Sequence, residues 1–127
     1  MAGFAAAAVT KRQVPQFFSF AADVAGDITF YGGGLGACGW VVSADDVAIS
    51  HELFEPKSPS GNSNANPLCG RNILATANGI TRTLRVADNC GGCAANDLDV
   101  LEPEFNAFGY DSSVGRAPIT WDNAVLN

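Results

Sequence analysis

The sequence is poor in histidine and in basic residues. Its single histidine is His51, and 7 Lys and Arg face 13 Asp and Glu, which gives a formal net charge of −6. One histidine leaves few ligands for an ordinary zinc site, and no second cysteine pair has ligand spacing. The acidic balance argues against nucleic acid and anionic membranes as partners, because both attract basic patches. A neutral or cationic partner such as a polysaccharide fits this charge better.

Long apolar runs are absent too, since the Ala-rich stretch within residues 1–9 is too short to span a bilayer. Lys11-Arg12 follows it, and a dibasic pair before a folded part is typical of a processing site in a secretory pro-segment. Two solvated charges on a tail would give the same pattern. We therefore expect residues 1–24 to be an N-terminal tail or pro-segment remnant, and residues 25–127 to form a single domain.

Short strands separated by turn residues dominate the rest of the chain, and the full sequence contains 14 Gly and 6 Pro. Apolar and polar residues alternate in 27–31 and in 81–87, the period of half-buried strands. Asn78-Gly79 is typical of a two-residue hairpin turn. One helical turn is expected at 51–54 and a short helix at 103–108, where proline suits the first turn. This pattern predicts an all-β domain with minor helix, arranged as a small closed barrel of about six strands.

All four cysteines lie between Cys38 and Cys93. An even number in a small, loop-rich chain predicts two disulfides and hence a secreted, extracellular protein. Four cysteines allow three connectivities. The spacing of Cys90 and Cys93 permits a local ring, which leaves Cys38–Cys69 as the long-range bridge, and this is the pairing that we expect. A redox Cys-x-x-Cys is the alternative, although no βαβ pattern surrounds it.

Two carboxylates stand where they could meet. Asp88 ends an apolar strand just before the turn Cys90-Gly91-Gly92-Cys93, and Asp99 precedes the expected helix. A strand end, a tight turn and a second aspartate would place two acids around one groove. Each acid has a structural alternative, because aspartates at strand ends and before helices often cap backbone N–H groups. Asp97 is expected to be a solvated loop charge.

Several spaced motifs occur in the order found in one family: Gly26-Asp27-Ile28-Thr29-Phe30-Tyr31, Ala37-Cys38-Gly39, Cys69-Gly70-Arg71, Val86-Ala87-Asp88-Asn89-Cys90, Asp97-Leu98-Asp99 and Ile119-Thr120-Trp121. Over about residues 26–122 the sequence resembles the double-psi β-barrels of the expansin and RlpA-like group, and most of all the single-domain loosenins of fungi. The resemblance implies a six-stranded double-psi β-barrel with no cofactor and no metal. It also implies a monomer that binds cell-wall polysaccharide such as cellulose, xyloglucan or chitin and loosens it.

The resemblance implies groove residues as well. Asp99 corresponds to the general acid of family 45 glycoside hydrolases, and Asp88 to a second groove acid. Thr29 and Tyr31 correspond to the polar face of the first barrel strand. The hydrolases carry their base two positions after this tyrosine, where this chain has Gly33. Because inverting hydrolysis needs two carboxylates, an acid without a base predicts binding without cutting.

Three further residues are candidates for contacts with a polysaccharide. Asn89 would add polar contacts, whereas Trp40 and Tyr110 could stack on the apolar faces of sugar rings, with ordinary packing as the equal alternative. Two other functions stay open. One is a weak hydrolase or lytic transglycosylase that uses Asp27 or Asp88 as a substitute base. The other is a barwin- or kiwellin-like module that binds a protein or chitin.

Overall fold

The computed structural model describes residues 23–126, which fold into a closed barrel of six strands. The strands are β1 (Asp23–Tyr31), β2 (Asp46–Ser50), β3 (Asn72–Ala77), β4 (Ile80–Cys90), β5 (Leu98–Leu101) and β6 (Arg116–Asp122). Helix α1 (His51–Phe54) follows β2 and α2 (Glu102–Ala107) follows β5, with short turns of 3-10 helix elsewhere. Within the described range, neither helix is long and apolar enough to cross a membrane. The predicted all-β barrel with minor helix is confirmed.

Around the barrel the strands follow the order β1-β5-β2-β4-β3-β6, and β6 pairs with β1. β1 pairs with β5 and β2 pairs with β4 in parallel, while the other neighbours are antiparallel. Parallel neighbours need long connections, and these carry the loops and helices. The β3–β4 hairpin needs only Asn78 and Gly79, which both have positive φ as a type I′ turn requires. This turn was predicted from the sequence and is confirmed.

β1 begins two residues before the expected domain boundary. Asp23 and Val24 pair with Asp122 and Trp121 of β6, so they belong to the barrel. Residues 1–22, where most of the expected tail or pro-segment falls, lie outside the described residues. The described part of the barrel therefore starts at Asp23.

The core consists of inward side chains from all six strands. Trp121 is 1% exposed, and its indole N–H donates to the Asn96 carbonyl at 2.8 Å. Phe105 of α2 packs against Phe30 with ring centroids 5.0 Å apart. Burying one such side chain stabilises the fold by about 1.5–3 kcal/mol. The larger apolar strand residues at the centre are Ile28, Val47, Ile49, Ile73, Leu84, Val86, Leu98, Val100 and Ile119.

Two disulfides join the loops to this core. Cys38 bonds to Cys69 and Cys90 bonds to Cys93, which confirms the expected pairing. The first ties the long loop after β1 to the segment before β3. The second closes the turn after β4, next to the end of the strand that carries Asp88.

The loop between β1 and β2, residues 32–45, lies against β4 at a β-bulge. The register of β2 with β4 shifts between Val47 and Ala48, which leaves Ala87 as the extra residue. The Ala87 carbonyl accepts the Cys38 N–H at 3.1 Å. A Cβ at Gly36 would lie 2.4 Å from the same oxygen, so only glycine fits this approach.

Candidate functional site

Strand register places five residues in one row across the barrel. Thr29 of β1 is opposite Asp99 of β5, Asp99 is opposite Ala48 of β2, and Ala48 is opposite Asp88 of β4. On its other side, Thr29 is opposite Arg116 of β6. Residues opposite one another on neighbouring strands point to the same face of a sheet. We call this set, from Arg116 to Asp88, the polar row.

Asp99 lies half-buried in the middle of the polar row. Its Oδ1 accepts the Thr29 hydroxyl at 2.9 Å. Its Oδ2 lies 4.0 Å from Sγ of Cys90, which has no hydrogen to donate because it is in a disulfide. Burial raises the pKa of Asp99 and the charge of Asp88 raises it further, against the lowering effects of Thr29 and Arg116. Among residues 23–126, no N–H or O–H group donates a hydrogen bond to Oδ2 of Asp99.

Asp88, in contrast, is held by three donors. Its Oδ1 accepts the backbone N–H groups of Ala37 and Asn89, both at 2.8 Å. Its Oδ2 accepts the Tyr31 hydroxyl at 2.9 Å. Two carboxylate oxygens offer about four lone-pair positions, so three are occupied. Asp88 thus anchors the 32–45 loop and orients Tyr31.

Tyr31 reaches the polar row through its hydroxyl. Burial, then the hydrogen bond to Asp88, then the nearby charges of Asp88, Asp99 and Asp46 raise the pKa of Tyr31 well above its usual value. The phenol therefore stays protonated at ordinary pH and donates to Asp88. Its oxygen keeps acceptor capacity for a ligand hydroxyl.

Asn89 is next to Asp88 but partly engaged elsewhere. Its amide nitrogen donates to the Glu55 carboxylate at 3.0 Å. Its Oδ1 is buried and has no hydrogen-bond partner among the described residues. A buried amide oxygen left without a donor costs about 1–3 kcal/mol. Asn89 therefore has an unpaired but buried acceptor next to Asp88, and its expected contact with a polysaccharide stays a prediction.

Trp40 is fixed by a buried carboxylate on the 32–45 loop side of β2. Asp46 is fully buried and accepts both the Trp40 indole N–H at 3.2 Å and Nε of Arg85 at 2.7 Å. The Arg85 guanidinium lies 4.6 Å from the centroid of the Trp40 ring, a cation–π contact. One face of the indole is thus covered, which leaves only its remaining surface for sugar stacking.

Asp46 and Arg85 also line a polar recess of about 440 Å³ with Ser43, Asp45, Asn72 and Thr83.

Tyr110 does not join the polar row. Its hydroxyl donates to the Pro118 carbonyl at 2.5 Å, and its ring packs on Phe105 with centroids 5.6 Å apart. It lines a separate pocket of about 300 Å³ that includes Ala25. Ala25 lies four positions before Thr29, roughly 13 Å along β1 at about 3.3 Å per residue. Sugar stacking on Tyr110 would therefore need a contact outside the polar row.

The backbone at Gly33 is unfavourable for the side chain of a hydrolase base. Its φ is +79°, which disfavours most side chains. A Cβ there would lie 2.7 Å from Cδ2 of Leu101, so that side chain would have to move. Asp27, one of the two possible substitutes, is bound to Arg116 at 3.0 Å. Asp88, the other, stands in the same row as Asp99 and not across a groove from it.

The expectation that Asp97 is a solvated loop charge is wrong. It is 6% exposed, and its Oδ1 accepts the Asp27 N–H at 3.2 Å. Its Oδ2 accepts the Ala94 N–H at 3.0 Å and the Arg116 guanidinium at 3.2 Å. Asp97 thus organises the turn that leads into β5. A polar residue in a loop rich in Gly and Asn gives no sequence signal for this burial.

Arg116 is the member of the polar row that the sequence did not reveal. Its side chain is 53% exposed and bonds to both Asp27 and Asp97. In the sequence it is one cation at the start of the last strand. Only the register of β6 with β1 brings it next to Thr29 and, through Thr29, close to Asp99.

Cys90, Cys93 and Asp99 place three atoms of metal-ligand type within 4.8 Å of one another. Both sulfurs are joined in a disulfide, however, and a cysteine ligates metal as a thiolate. In the oxidised protein this cluster therefore lacks the donors for a metal centre.

Comparison with curated proteins finds partial relatives, and no protein-family model matches the chain. The chain is 42% identical over 78 residues to the allergen Asp f 7 homolog of Arthroderma benhamiae, covering 59% of this chain and 25% of that protein. It is 36% identical over 62 residues to the putative ripening-related protein 6 of Oryza sativa subsp. japonica, covering 44% of this chain and 37% of that protein. The matches thus span well under half of these relatives.

Solved structures match over most of the barrel. The Streptomyces papain inhibitor has a TM-score of 0.68 and 29% identity, with 79% of this chain and 92% of that chain covered. A mutant of the Clavibacter michiganensis expansin, in complex with cellohexaose, has a TM-score of 0.61 and 28% identity, with 78% of this chain and 48% of that chain covered.

Proposed function

We propose that this expansin-like double-psi β-barrel is a secreted protein that binds cell-wall polysaccharide along its polar row and loosens contacts between chains without hydrolysis. The observation that carries the proposal is the contrast between two acids. Asp99 keeps a carboxylate oxygen that no described donor reaches, whereas Asp88 is committed to three donors. The cellohexaose complex of the related Clavibacter expansin supports a glucan as ligand. The two disulfides support an extracellular location.

The proposed action is competition for hydrogen bonds. A sugar hydroxyl would donate to Oδ2 of Asp99, while Thr29 holds Oδ1 in place. The Tyr31 oxygen would accept a further hydroxyl. A hydrogen bond to a charged group is worth about 1.5–3 kcal/mol, against about 0.5–1.5 for a neutral one. A hydrogen bond from a glucan hydroxyl to Asp99 would therefore be stronger than one from the same hydroxyl to a neighbouring glucan chain.

Hydrolysis is not part of the proposal because no second carboxylate is free to act as the base. Inverting glycosidases separate their two carboxyl groups by about 6.5–9.5 Å with water between them. Gly33 supplies none, Asp27 is paired with Arg116, and Asp88 anchors the 32–45 loop. An acid without a free partner can bind a sugar without activating water.

The experiment combines binding and product analysis. Purified protein is incubated with cellulose, xyloglucan-coated cellulose and chitin, and bound protein and soluble sugars are both measured, the latter by mass spectrometry. Asp99→Asn should weaken binding about tenfold, equivalent to about 1.4 kcal/mol, and no variant should release sugar. The matched control is Asp111→Asn, since Asp111 is exposed and caps the Ser113 N–H, which asparagine also does.

Three outcomes count against the proposal. Soluble oligosaccharides released at enzyme-like rates by wild type and lost in Asp99→Asn would indicate a hydrolase or a lytic transglycosylase. Absence of binding to every polysaccharide tested would reject the groove function itself. Binding that Asp99→Asn and Asp111→Asn weaken equally would reject the role of the polar row.

A second candidate function is binding to a protein. The papain inhibitor of Streptomyces favours it, because this chain covers 92% of that structure with a TM-score of 0.68. A shared fold alone does not transfer an activity, so inhibition of papain-type cysteine proteases must be measured directly. Stoichiometric inhibition by wild type, unchanged in Asp99→Asn, would support this candidate over the polysaccharide.

A further inference from the structure

Arg116 joins three elements at one end of the polar row. Its guanidinium bonds to Asp27 of β1 at 3.0 Å and to Asp97 at 3.2 Å. Asp97 also accepts the backbone N–H groups of Asp27 and Ala94. Together these bonds hold residues 94–97, the turn that leads into β5. Asp99 is two residues beyond Asp97, so Arg116 helps to fix the position from which Asp99 meets a ligand.

Arg116 is also the cation that acts on Asp99. Charges of Asp88 and Asp97 raise the pKa of Asp99, whereas the charge of Arg116 lowers it. The other polar neighbour, Thr29, is uncharged. The charged or titratable groups around Asp99 on the neighbouring elements are Asp27 and Tyr31 on β1, Asp46 on β2, Asp88 and Arg85 on β4, Asp97 in the turn, and Arg116 on β6.

We propose that Arg116 is a positioning residue of the groove, which fixes the turn into β5 and supplies the positive charge that keeps Asp99 an acceptor of sugar hydroxyls. The ligand in this statement rests on the proposed function, but the effect of Arg116 on Asp99 does not. Without Arg116, the charges of Asp88 and Asp97 would act on Asp99 with no cation opposing them, since Arg85 is paired with Asp46, and like charges disfavour the ionised form. Asp99 would then hold a proton at higher pH, and the protonated acid would lose its charge-assisted bond to the ligand.

A direct test is the NMR titration of the Asp99 carboxyl carbon in wild type, Arg116→Gln and Arg116→Lys. Glutamine can still donate to Asp97 and so preserves the turn while removing the charge. We expect Asp99 to titrate at higher pH in Arg116→Gln, and close to wild type in Arg116→Lys. Cellulose binding should change together with the titration of Asp99. Near the pH at which Asp99 of wild type is half-protonated, Arg116→Gln should bind severalfold more weakly than wild type. Well above that pH, the two proteins should bind equally.

Arg71→Met is the matched control because it removes one positive charge outside the polar row. Arg71 donates to the backbone carbonyls of Pro67 and Val125. The Arg71→Met substitution should leave the titration of Asp99 unchanged. Thermal unfolding of each variant verifies that it is folded. If Arg116→Gln fails to fold, Arg116→Met, which keeps an apolar stem and removes the charge, takes its place in the same titration.

The outcomes separate this inference from the proposed function. An Asp99 titration that is the same in wild type and Arg116→Gln overturns the role of Arg116, whatever happens to binding. In the fallback, an Asp99 titration that is the same in wild type and Arg116→Met overturns it equally. A shifted titration in a protein that binds none of the polysaccharides would support the role of Arg116 and reject the polysaccharide.

Discussion

Asp88 and Asp99 have the same side chain in one row, and their donors give them different tasks. Three donors hold Asp88, so its carboxylate is a structural anchor for the 32–45 loop. One hydroxyl holds Asp99, which leaves its other oxygen for a ligand. At the scale of single residues, the number of hydrogen bonds already made separates the anchor from the contact.

Asp88→Ala should lower stability more than Asp88→Asn. Alanine leaves the N–H groups of Ala37 and Asn89 and the Tyr31 hydroxyl without their acceptor, for a loss of about 2–4 kcal/mol. Asparagine keeps one oxygen for the two N–H groups, and the Tyr31 hydroxyl can turn to accept from the amide, so the expected loss is about 1 kcal/mol. Urea unfolding measures both. Equal, small losses would contradict the anchoring role.

Asp99→Asn should stabilise the protein at neutral pH. Burial raises the pKa of Asp99 above its value in the unfolded chain, so the folded state holds the proton more tightly. Stability therefore falls as pH rises from the unfolded pKa through the folded pKa, and the full cost applies above both. Asparagine avoids this cost. The gain in Tm should be present at pH 7 and shrink as the buffer is acidified, and a Tm difference independent of pH would contradict it.

At the scale of elements, the 32–45 loop and the β4 bulge form one unit that places Asp88. The bulge turns the Ala87 carbonyl toward the loop, where it accepts the Cys38 N–H. The loop in return donates the Ala37 N–H to Asp88. Neither the loop nor the bulge has a regular pattern of its own in the sequence.

Gly36→Ala should therefore disturb this unit, whereas Gly32→Ala should not. A Cβ at Gly36 would lie 2.4 Å from the Ala87 carbonyl, but nothing lies within 4 Å of a Cβ at Gly32. Neither glycine has positive φ, so steric contact is the difference between them. Overpacking of this kind costs about 1–3 kcal/mol, against within about 0.5 for an open surface site. Chemical denaturation of both variants measures this difference. Equal stabilities would refute the close packing of the 32–45 loop against the β4 bulge.

The elements also show how far the sequence leads. Alternating residues predicted the strands that carry Thr29 and Asp88, and the Asn78-Gly79 turn predicted the hairpin, because these signals are local. The burial of Asp97 and the place of Arg116 in the row escaped, since both depend on the register between β1, β5 and β6. Register is a property of strand pairs, and one strand read alone does not contain it.

At the scale of the whole molecule, recognition of the fold depended on several motifs in one order, and the barrel with its two disulfides confirms it. The positions of the candidate site residues were predicted less completely than the fold. Thr29, Tyr31, Asp88, Asn89 and Asp99 come together at the polar row or beside it, but Tyr110 lines another pocket. Motif order specifies the path of the backbone, while aromatic side chains outside the motifs depend on how the loops pack.

The two disulfides should contribute unequally to the stability of this barrel. Cys38–Cys69 closes a sequence separation of 31 residues, whereas Cys90–Cys93 closes one of 3. In the chain-entropy account the first restrains the unfolded chain by about 3–4 kcal/mol and the second by about 1.5–2. Unfolding midpoints of the paired Cys→Ala variants, Cys38 with Cys69 and Cys90 with Cys93, measure the difference. If the local pair cost as much as the long one, loop entropy would not be the main contribution, and the turn beside Asp99 would instead hold native contacts that the disulfide preserves.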